Sequence, residues 1–352
     1  MNILVIGAGN GGVTISADLS SKKHRVTLLK TSKSLHNSNF DYLKNNNGAV
    51  KLHRKNEVTN THIHRVTDSF SEAFEEYFDL IIVYVQTNYH EAIVKKLSPY
   101  IKKEQAILFE PGYLSTAYVI KYMREKDVTV IEAESSPIDC RIINDGEVQV
   151  LFENVRNPVG VYPSNKKEQA LAIISKLGYN FTLLDSVVEA ALHNPNLIVH
   201  TIGAVMSIPR IEYSKGEYWM YKEVFTPSVW NLVTSLDSEK NDVLEKLGLK
   251  RTDYVEACKF RNSEDLDCDA KEIFDDYAQN GSPKGPHVSD SRYITEDVSQ
   301  GLVLLESLGI SLQVPTPTCS ALINIAQSCL NMDFRTTGRT VHNLDLKITD
   351  YI

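Results

Sequence analysis

At 352 residues the chain is longer than one hydrophobic core usually supports, so two domains are expected. Hydrophobic residues make up 42% and charged residues 23%, and a net charge of −8 without any basic block argues against a nucleic-acid partner; its bland reading is a soluble surface. No apolar run approaches membrane-spanning length, the nearest being the short stretch Leu197 to Met206, so no membrane association is expected.

The chain opens on an apolar strand, Ile3-Leu4-Val5-Ile6, that breaks into Gly7-Ala8-Gly9-Asn10-Gly11-Gly12. Gly7, Gly9 and Gly12 fit the G-x-G-x-x-G spacing. The first would turn the chain, the second would let backbone approach a pyrophosphate, and the third would let the following helix pack on the sheet. Val13 to Leu19 reads as that helix and Arg25-Val26-Thr27-Leu28-Leu29 as a second strand. Phosphate would lie at the helix N-terminus, near Asn10 and Gly11, where N–H groups and the helix dipole favour an anion. The competing reading is an ordinary strand–helix turn. The motif lies within ten residues of Met1, so no signal or transit peptide is expected ahead of it. Cys140, Cys258, Cys268, Cys319 and Cys329 are scattered and never paired as C-x-x-C, which suggests reduced thiols in the cytoplasm, with neither a disulfide framework nor a metal site.

After Leu29 a polar stretch rich in Asn, Ser and Lys, with little apolar periodicity, runs to about residue 56. Asp79 to Val85 is a near-continuous apolar strand of the kind buried on both faces, followed by the polar loop Gln86 to Tyr89 and a helix from His90 to Leu97. Ala106 to Phe109, ended by Pro111-Gly112, and Val128 to Ala133 are further strands. Glu147 to Phe152 and Val159 to Tyr162 are expected as short strands, antiparallel in one reading, at one edge. A helix over 166–177 and a strand over Phe181 to Leu184 close this half. Alternating strand and helix predict a Rossmann-type, doubly wound parallel sheet over 1–185. From Ser186 apolar residues recur at three- and four-residue spacing, as in Val229 to Leu247, Asp297 to Leu308 and Cys319 to Leu330, which predicts an all-helical domain over 186–352. The fold class expected is therefore α/β plus all-α.

Ligands of open α/β sheets sit at the carboxyl ends of the strands, which makes Thr87, Asn88, Pro111 and Gly112 further cofactor candidates. An NAD site would carry Asp or Glu at the end of the second strand. Here Lys30-Thr31-Ser32-Lys33 stand there, two cations and two hydroxyls that suit a 2′-phosphate, so NADP(H) is favoured and NAD(H) remains possible. Solvated loop lysines are the plainer alternative.

In the helical half, His193-Asn194-Pro195-Asn196-Leu197-Ile198-Val199-His200 places Pro195 at a helix start, with His193 outside and His200 inside among apolar residues. His200 is either a general acid–base or a histidine satisfied in a core. The seven-residue spacing of the two histidines does not suit a metal-binding helix. Arg292-Tyr293-Ile294-Thr295-Glu296-Asp297-Val298 is a charged knot before an apolar helix; its structural alternative is a capping box with Thr295 as N-cap.

Taken together, Gly7 to Gly12, Phe109-Glu110-Pro111-Gly112, Asn194 to His200, Arg210-Ile211-Glu212-Tyr213-Ser214-Lys215-Gly216-Glu217, Thr226-Pro227-Ser228-Val229, Arg292 to Val298, Val314-Pro315-Thr316-Pro317-Thr318 and Asp333-Phe334-Arg335 resemble the octopine/nopaline dehydrogenase (opine dehydrogenase) family over nearly the whole chain. At one position the pattern departs, with Thr201 after His200 where proline is expected in many relatives. The resemblance implies an oxidoreductase that condenses an α-keto acid such as pyruvate with an amino acid, with NADPH favoured by Lys30 to Lys33. It implies His200 and Asp297 as the proton-transfer pair, and Arg292 as the anchor of a substrate carboxylate. Small-molecule substrates and a homodimer are the partners expected. Two alternatives compete. One is a ketopantoate-reductase-like reductase, which would use a helix lysine; the helical half offers none in a matching apolar setting, and Lys215 lies in a polar, glycine-containing segment. The other is a non-catalytic NAD(P)-binding sensor. The acidic run Glu264, Asp265, Asp267 and Asp269 would attract a cationic substrate or simply form a solvated face.

Overall fold

The computed structural model describes residues 1–33 and 35–351, with backbone alone for Thr349 and Asp350. It forms two compact units, Met1–Val187 and Val188–Ile352. Among the described residues no helix is long and apolar enough to cross a membrane.

The first unit runs β1 (Asn2–Ile6), α1 (Asn10–Ser21), β2 (Arg25–Leu29), α2 (Asn37–Asn45), β3 (Ala49–Arg54), β4 (Glu57–His62), β5 (Arg65–Thr67), α3 (Phe70–Ala73), β6 (Leu80–Val83), α4 (His90–Leu97), β7 (Ala106–Phe109) and α5 (Thr116–Met123). It continues through β8 (Thr129–Ala133), β9 (Ile138–Asn144), β10 (Glu147–Glu153), β11 (Asn157–Tyr162), α6 (Lys167–Ile174) and β12 (Phe181–Leu183). Eight strands make one sheet in the order β12-β11-β8-β7-β6-β1-β2-β5, parallel throughout except where β11 meets β8. β6, β7 and β8 are buried at every residue because helices pack on the sheet, which explains their unbroken apolar sequence. The strand order reverses between β1 and β6. That switch point opens a crevice at the carboxyl ends of the strands, where doubly wound sheets take their ligands.

A second sheet, β4-β3-β10-β9, packs on α1. It corrects two expectations. Residues 30–56 are not featureless, since they contain α2 and β3. Of the two late strands, β11 does join the main sheet antiparallel to β8, but β10 belongs to the small sheet, parallel to β3 and antiparallel to β9. The physical reason is non-local pairing: β3 buries only Val50 and Leu52, and its partner Val148 lies far along the chain. Asp18 of α1 ties the layers together. It is 2% exposed and meets Arg54 of β3 at 2.5 Å, Lys22 at 2.7 Å and the Tyr179 hydroxyl at 2.5 Å.

The second unit contains α7 (Val187–Leu192), which begins at the boundary, then α8 (Asn196–Val205), α9 (Ile208–Ser214), α10 (Met220–Glu223), α11 (Pro227–Lys246), α12 (Tyr254–Asn262) and α13 (Ala270–Asp276). α14 (Arg292–Thr295), α15 (Val303–Leu312), α16 (Pro317–Leu330) and α17 (Phe334–Thr337) complete it. Proline opens α11 and α16, where its missing N–H removes no helical bond. α8 is the central helix, buried from Leu197 to Val205 against α11, α14 and α16. The single helix expected from Asp297 to Leu308 is instead a π-helical turn, Val298–Leu302, followed by α15. The buried Arg339 braces the widened turn: its N–H donates to the Ser299 carbonyl at 2.9 Å and its Nε to Gln300 Oε1 at 2.8 Å.

Asp18→Ala removes the shared acceptor of three donors in the first unit. Two of them, Arg54 and Lys22, are about a third exposed and regain water, so the expected loss is about 2 kcal/mol. That corresponds to a fall of roughly 4–8 °C in melting temperature, measurable by calorimetry.

Candidate active site

The glycine turn between β1 and α1 has the steric signature of a dinucleotide loop. Gly7 has φ of +115°, and a Cβ there would lie 2.4 Å from the Tyr84 carbonyl oxygen. A Cβ on Gly12 would lie 1.7 Å from the Gly7 carbonyl oxygen, so α1 approaches β1 as closely as backbone allows. At Gly9 a Cβ would meet nothing nearer than the His36 ring at 3.7 Å, so the protein itself does not demand glycine there. A position with only that ordinary contact, beside the N-terminus of a twelve-residue helix with no acid in its first turn, fits a bound pyrophosphate. Asn10 turns its side chain to structure: its Oδ1 accepts from the Ile142 N–H at 2.9 Å, fastening the loop to β9. Gly11 lies against the Tyr84 ring.

The other sheet-unit candidates follow their strands as the sequence suggests, with distinct local duties. Thr87 is buried and Asn88 exposed in the short 3₁₀ turn after β6. Pro111 and Gly112 follow β7, and Gly112 is required by packing, since a Cβ there would strike Glu132. The Glu132 carboxylate accepts from the N–H groups of Leu114 and Thr116 at 2.8 and 2.6 Å. After β2, Lys30 is only 5% exposed and its ammonium folds onto the Ser32 carbonyl and, at 3.1 Å, Ser32 Oγ. Thr31 is half-buried, while Ser32 and Lys33 are exposed. His36, which the sequence reading does not single out, borders the glycine loop. No local pattern marks it, because its position depends on the left-handed backbone that opens α2.

In the helical unit the two residues implied by resemblance meet. His200 of α8 and Asp297, just past α14, bond at 2.9 Å between Nδ1 and Oδ2, and are 6% and 1% exposed. The capping alternative is not what forms: α14 starts after Ser291, and the Thr295 hydroxyl donates back to the Ser291 carbonyl at 3.1 Å. Thr201 leaves α8 unbroken, its hydroxyl donating to the Leu197 carbonyl at 2.6 Å. Tyr293 stacks on the His200 ring with centroids 3.7 Å apart and planes 6° from parallel. Arg292 is exposed, with Nη1 3.7 Å from Glu296 Oε2.

His193 does not join this group. It lies 3.4 Å from Lys240 Nζ, and burial, with the Lys240 charge second, holds its imidazole well below the usual range. Lys240 is a buried lysine of the helical half, although its setting in the sequence is polar rather than apolar. It is 1% exposed on α11, pairs with Asp237 at 2.6 Å and donates to the Thr252 carbonyl at 2.9 Å. Lys215 is exposed in the left-handed turn that ends α9. Within the acidic run, Asp269 caps α13 through the N–H groups of Lys271 and Glu272, and Asp265 accepts from the Asp267 N–H.

Residues 183–330 match the family described as NAD/NADP octopine/nopaline dehydrogenase, alpha-helical domain, and residues 3–110 match ketopantoate reductase PanE/ApbA. The chain is 28% identical to the opine dehydrogenase of Arthrobacter sp. (strain 1C) over 97% of its own length and 94% of the relative's. The fold resembles that of octopine dehydrogenase in complex with NADH and agmatine, with a TM-score of 0.78, 17% identity and coverage of 98% and 95% of the two chains. Yersinopine dehydrogenase with NADP⁺ bound gives 0.73, at 16% identity and coverage of 94% and 91%. A sheet unit of ketopantoate reductase type and a helical unit of this kind make the chain an NAD(P)-dependent oxidoreductase. Within that class the helical unit matches the octopine/nopaline dehydrogenase family, and the chain as a whole is similar to the opine dehydrogenases.

One buried acid near the glycine turn, Glu110, enters the sequence reading only as part of the Phe109 to Gly112 motif, with no role of its own, although it stands out as a charge following a wholly apolar strand. The Tyr84 hydroxyl meets Glu110 Oε2 at 2.5 Å and Ser136 Oγ at 3.0 Å. Burial pushes the Glu110 carboxyl up to about 8, while the Tyr84 contact pulls the other way. The folded chain therefore keeps a proton that the unfolded chain releases near the ordinary glutamate value. Stability contributed at this group falls as pH rises from about 4.5 to about 8 and levels off above that. Glu110→Gln, neutral at every pH, should flatten the melting-temperature profile across that window relative to wild type.

Proposed function

We propose that the chain catalyses the NADPH-dependent reductive condensation of an α-keto acid, such as pyruvate, with the amine of an amino acid, through an imine. The observation that carries this reading is the buried His200–Asp297 pair. Bound nicotinamide supplies the hydride that reduces the imine carbon. The chain's own residues handle protons and charge. Asp297 accepts from Nδ1–H, fixing the tautomer and stabilising the imidazolium, so that Nε2 is the nitrogen that exchanges protons with substrate. His200 takes a proton from the substrate ammonium, freeing the amine to attack the keto carbon. It then returns a proton to the carbinolamine hydroxyl, which leaves as water. Arg292, a guanidinium five residues before Asp297, is suited to a bidentate grip on a substrate carboxylate.

The solved octopine dehydrogenase complexes with agmatine and with pyruvate support an amine and a keto acid as the substrate classes. The competing lysine-acid reductase is disfavoured because Lys240 is committed to Asp237.

For the cofactor, we propose NADPH over NADH, with Gly7, Gly9, Gly11 and Gly12 carrying the pyrophosphate turn. Lys33 and Ser32 would meet the 2′-phosphate, with His36 beside them, while Lys30 holds the Ser32 turn in shape. Lys33→Ala should weaken NADPH binding by about tenfold or more and leave NADH binding unchanged, since a charge-assisted contact is worth about 1.5–3 kcal/mol. Fluorescence titration of both cofactors reads this out; equal affinities in the wild type would contradict it.

Activity is tested by NADPH consumption with pyruvate alone, with pyruvate plus a panel of amino acids, and with neither. Turnover is expected only in the second arm. Turnover with the keto acid alone would favour the simple reductase, and none in any arm would favour a sensor. His200→Ala should lower kcat in the productive arm by roughly 10²–10⁴, with NADPH affinity retained.

A further inference from the structure

We propose that Tyr293 is a positioning residue for proton transfer: its ring fixes the plane of the His200 imidazole and stabilises the protonated ring. This rests on the reading of His200 as the group that exchanges protons with substrate.

The stack stands apart from the other ring contacts of the chain. Elsewhere the described aromatic pairs lie 4.9–6.3 Å apart, in offset, tilted or edge-on arrangements. His200 and Tyr293 lie almost directly face to face, at 3.7 Å and 6°. Two neutral π systems disfavour that sandwich, because both faces carry negative charge. A protonated imidazole reverses the sign: its positive charge then lies over the electron-rich phenol ring. The arrangement is thus matched to the imidazolium, the form His200 takes between accepting a proton from the amine and returning it.

The Asp297 hydrogen bond holds the ring at its Nδ1 edge and by itself does not set the ring's plane. Contact with a parallel ring sets that plane, so the two residues together define where Nε2 points.

The other charges around α8 have other partners. Beside the stack, Arg292 lies with its guanidinium carbon 5.7 Å from the Tyr293 ring centroid and is offset by Glu296. Tyr218, which precedes α10, has its phenol pushed up to about 12, by burial above all, and adds no charge at neutral pH. On α11, the Glu239 carboxylate caps α16 through the N–H groups of Thr318 and Cys319, and Lys240 pairs with Asp237. On α16 burial keeps the Cys319 thiol protonated, and on α10 Glu223 accepts from the Trp219 N–H and Arg210. Asp297, by its hydrogen bond, and Tyr293, by its ring face, are both positioned to favour the imidazolium.

The test is an NMR titration of the His200 imidazole in the full-length chain, in wild type, Tyr293→Phe and Tyr293→Leu, paired with the pH dependence of kcat/KM for NADPH-linked condensation. Tyr293→Met, flexible enough to fill the same space, replaces the leucine variant if that one fails to fold. The aliphatic variant is expected to titrate roughly 0.5–1 unit lower, about a three- to tenfold loss of proton affinity, while phenylalanine restores the wild-type value. The corresponding limb of the pH–rate profile should move by the same amount, with KM for NADPH unchanged. A His200 titration that is identical with and without the ring would overturn the role of Tyr293. A titration that shifts while the rate profile stays fixed would support the stack's hold on the proton and overturn His200 as the proton-transfer group.

Discussion

A carboxylate with 1% of its surface exposed needs a donor, and the helical unit is arranged to give Asp297 one. The hydrogen bond from His200 joins α8 to the junction between α14 and the π-helical turn, segments 97 residues apart in sequence. Much of the local architecture serves that meeting. α8 is buried against α11, α14 and α16, so its histidine cannot swing to solvent. The π-helical turn, braced by Arg339, begins at the residue after Asp297 and ends in the apolar helix α15. A wider turn of this kind is costly in an ordinary helix and is found most often at functional sites. Breaking a buried pair by removing one partner leaves the other desolvated, which is why such a pair is both structurally demanding and chemically available.

The sheet unit solves a different problem, the close approach of backbone to backbone at the β1–α1 turn. The Gly7 and Gly12 contacts show that the β1–α1 turn is already as tight as its atoms permit, while a Cβ on Gly9 would make only ordinary contact with the His36 ring. Two anchors hold that turn from outside the motif, the Tyr84 ring against Gly11 and the Ile142 N–H on Asn10. The small second sheet, which supplies Ile142, therefore serves as a brace for the loop as well as a cover for α1. Where the motif alone would leave Asn10 free for a ligand, the fold uses its side chain to set the loop's register.

Features that depend on neighbours in sequence were legible before any coordinates. The β1 turn, the buried strands β6 to β8, helix α4, and the start of α8 at Pro195 all follow from local pattern and turn chemistry. Features that depend on distant residues were not. The pairing of β3 with β10 joins a polar stretch to a strand about 95 residues later, and β3 shows only two buried residues. The buried Lys240 was invisible because its partner Asp237 lies one turn away on the same helix, a spacing that also describes exposed ion pairs. Residue types made His200 only a candidate; it was resemblance, not spacing, that paired it with Asp297. Tyr293 was within the motif that carried the resemblance, yet no periodicity marks a ring stacked on a histidine from another helix.

The central claim is that His200 and Asp297 act as one unit in proton transfer. A double-mutant cycle in kcat/KM for NADPH-dependent condensation, using His200→Ala, Asp297→Ala and the pair together, tests it most directly. The account predicts strong non-additivity, with the double variant little slower than the worse single. Losses that simply multiply, or an Asp297→Ala enzyme that turns over normally but melts at a lower temperature, would contradict it and reduce the carboxylate to a structural part of the helical core.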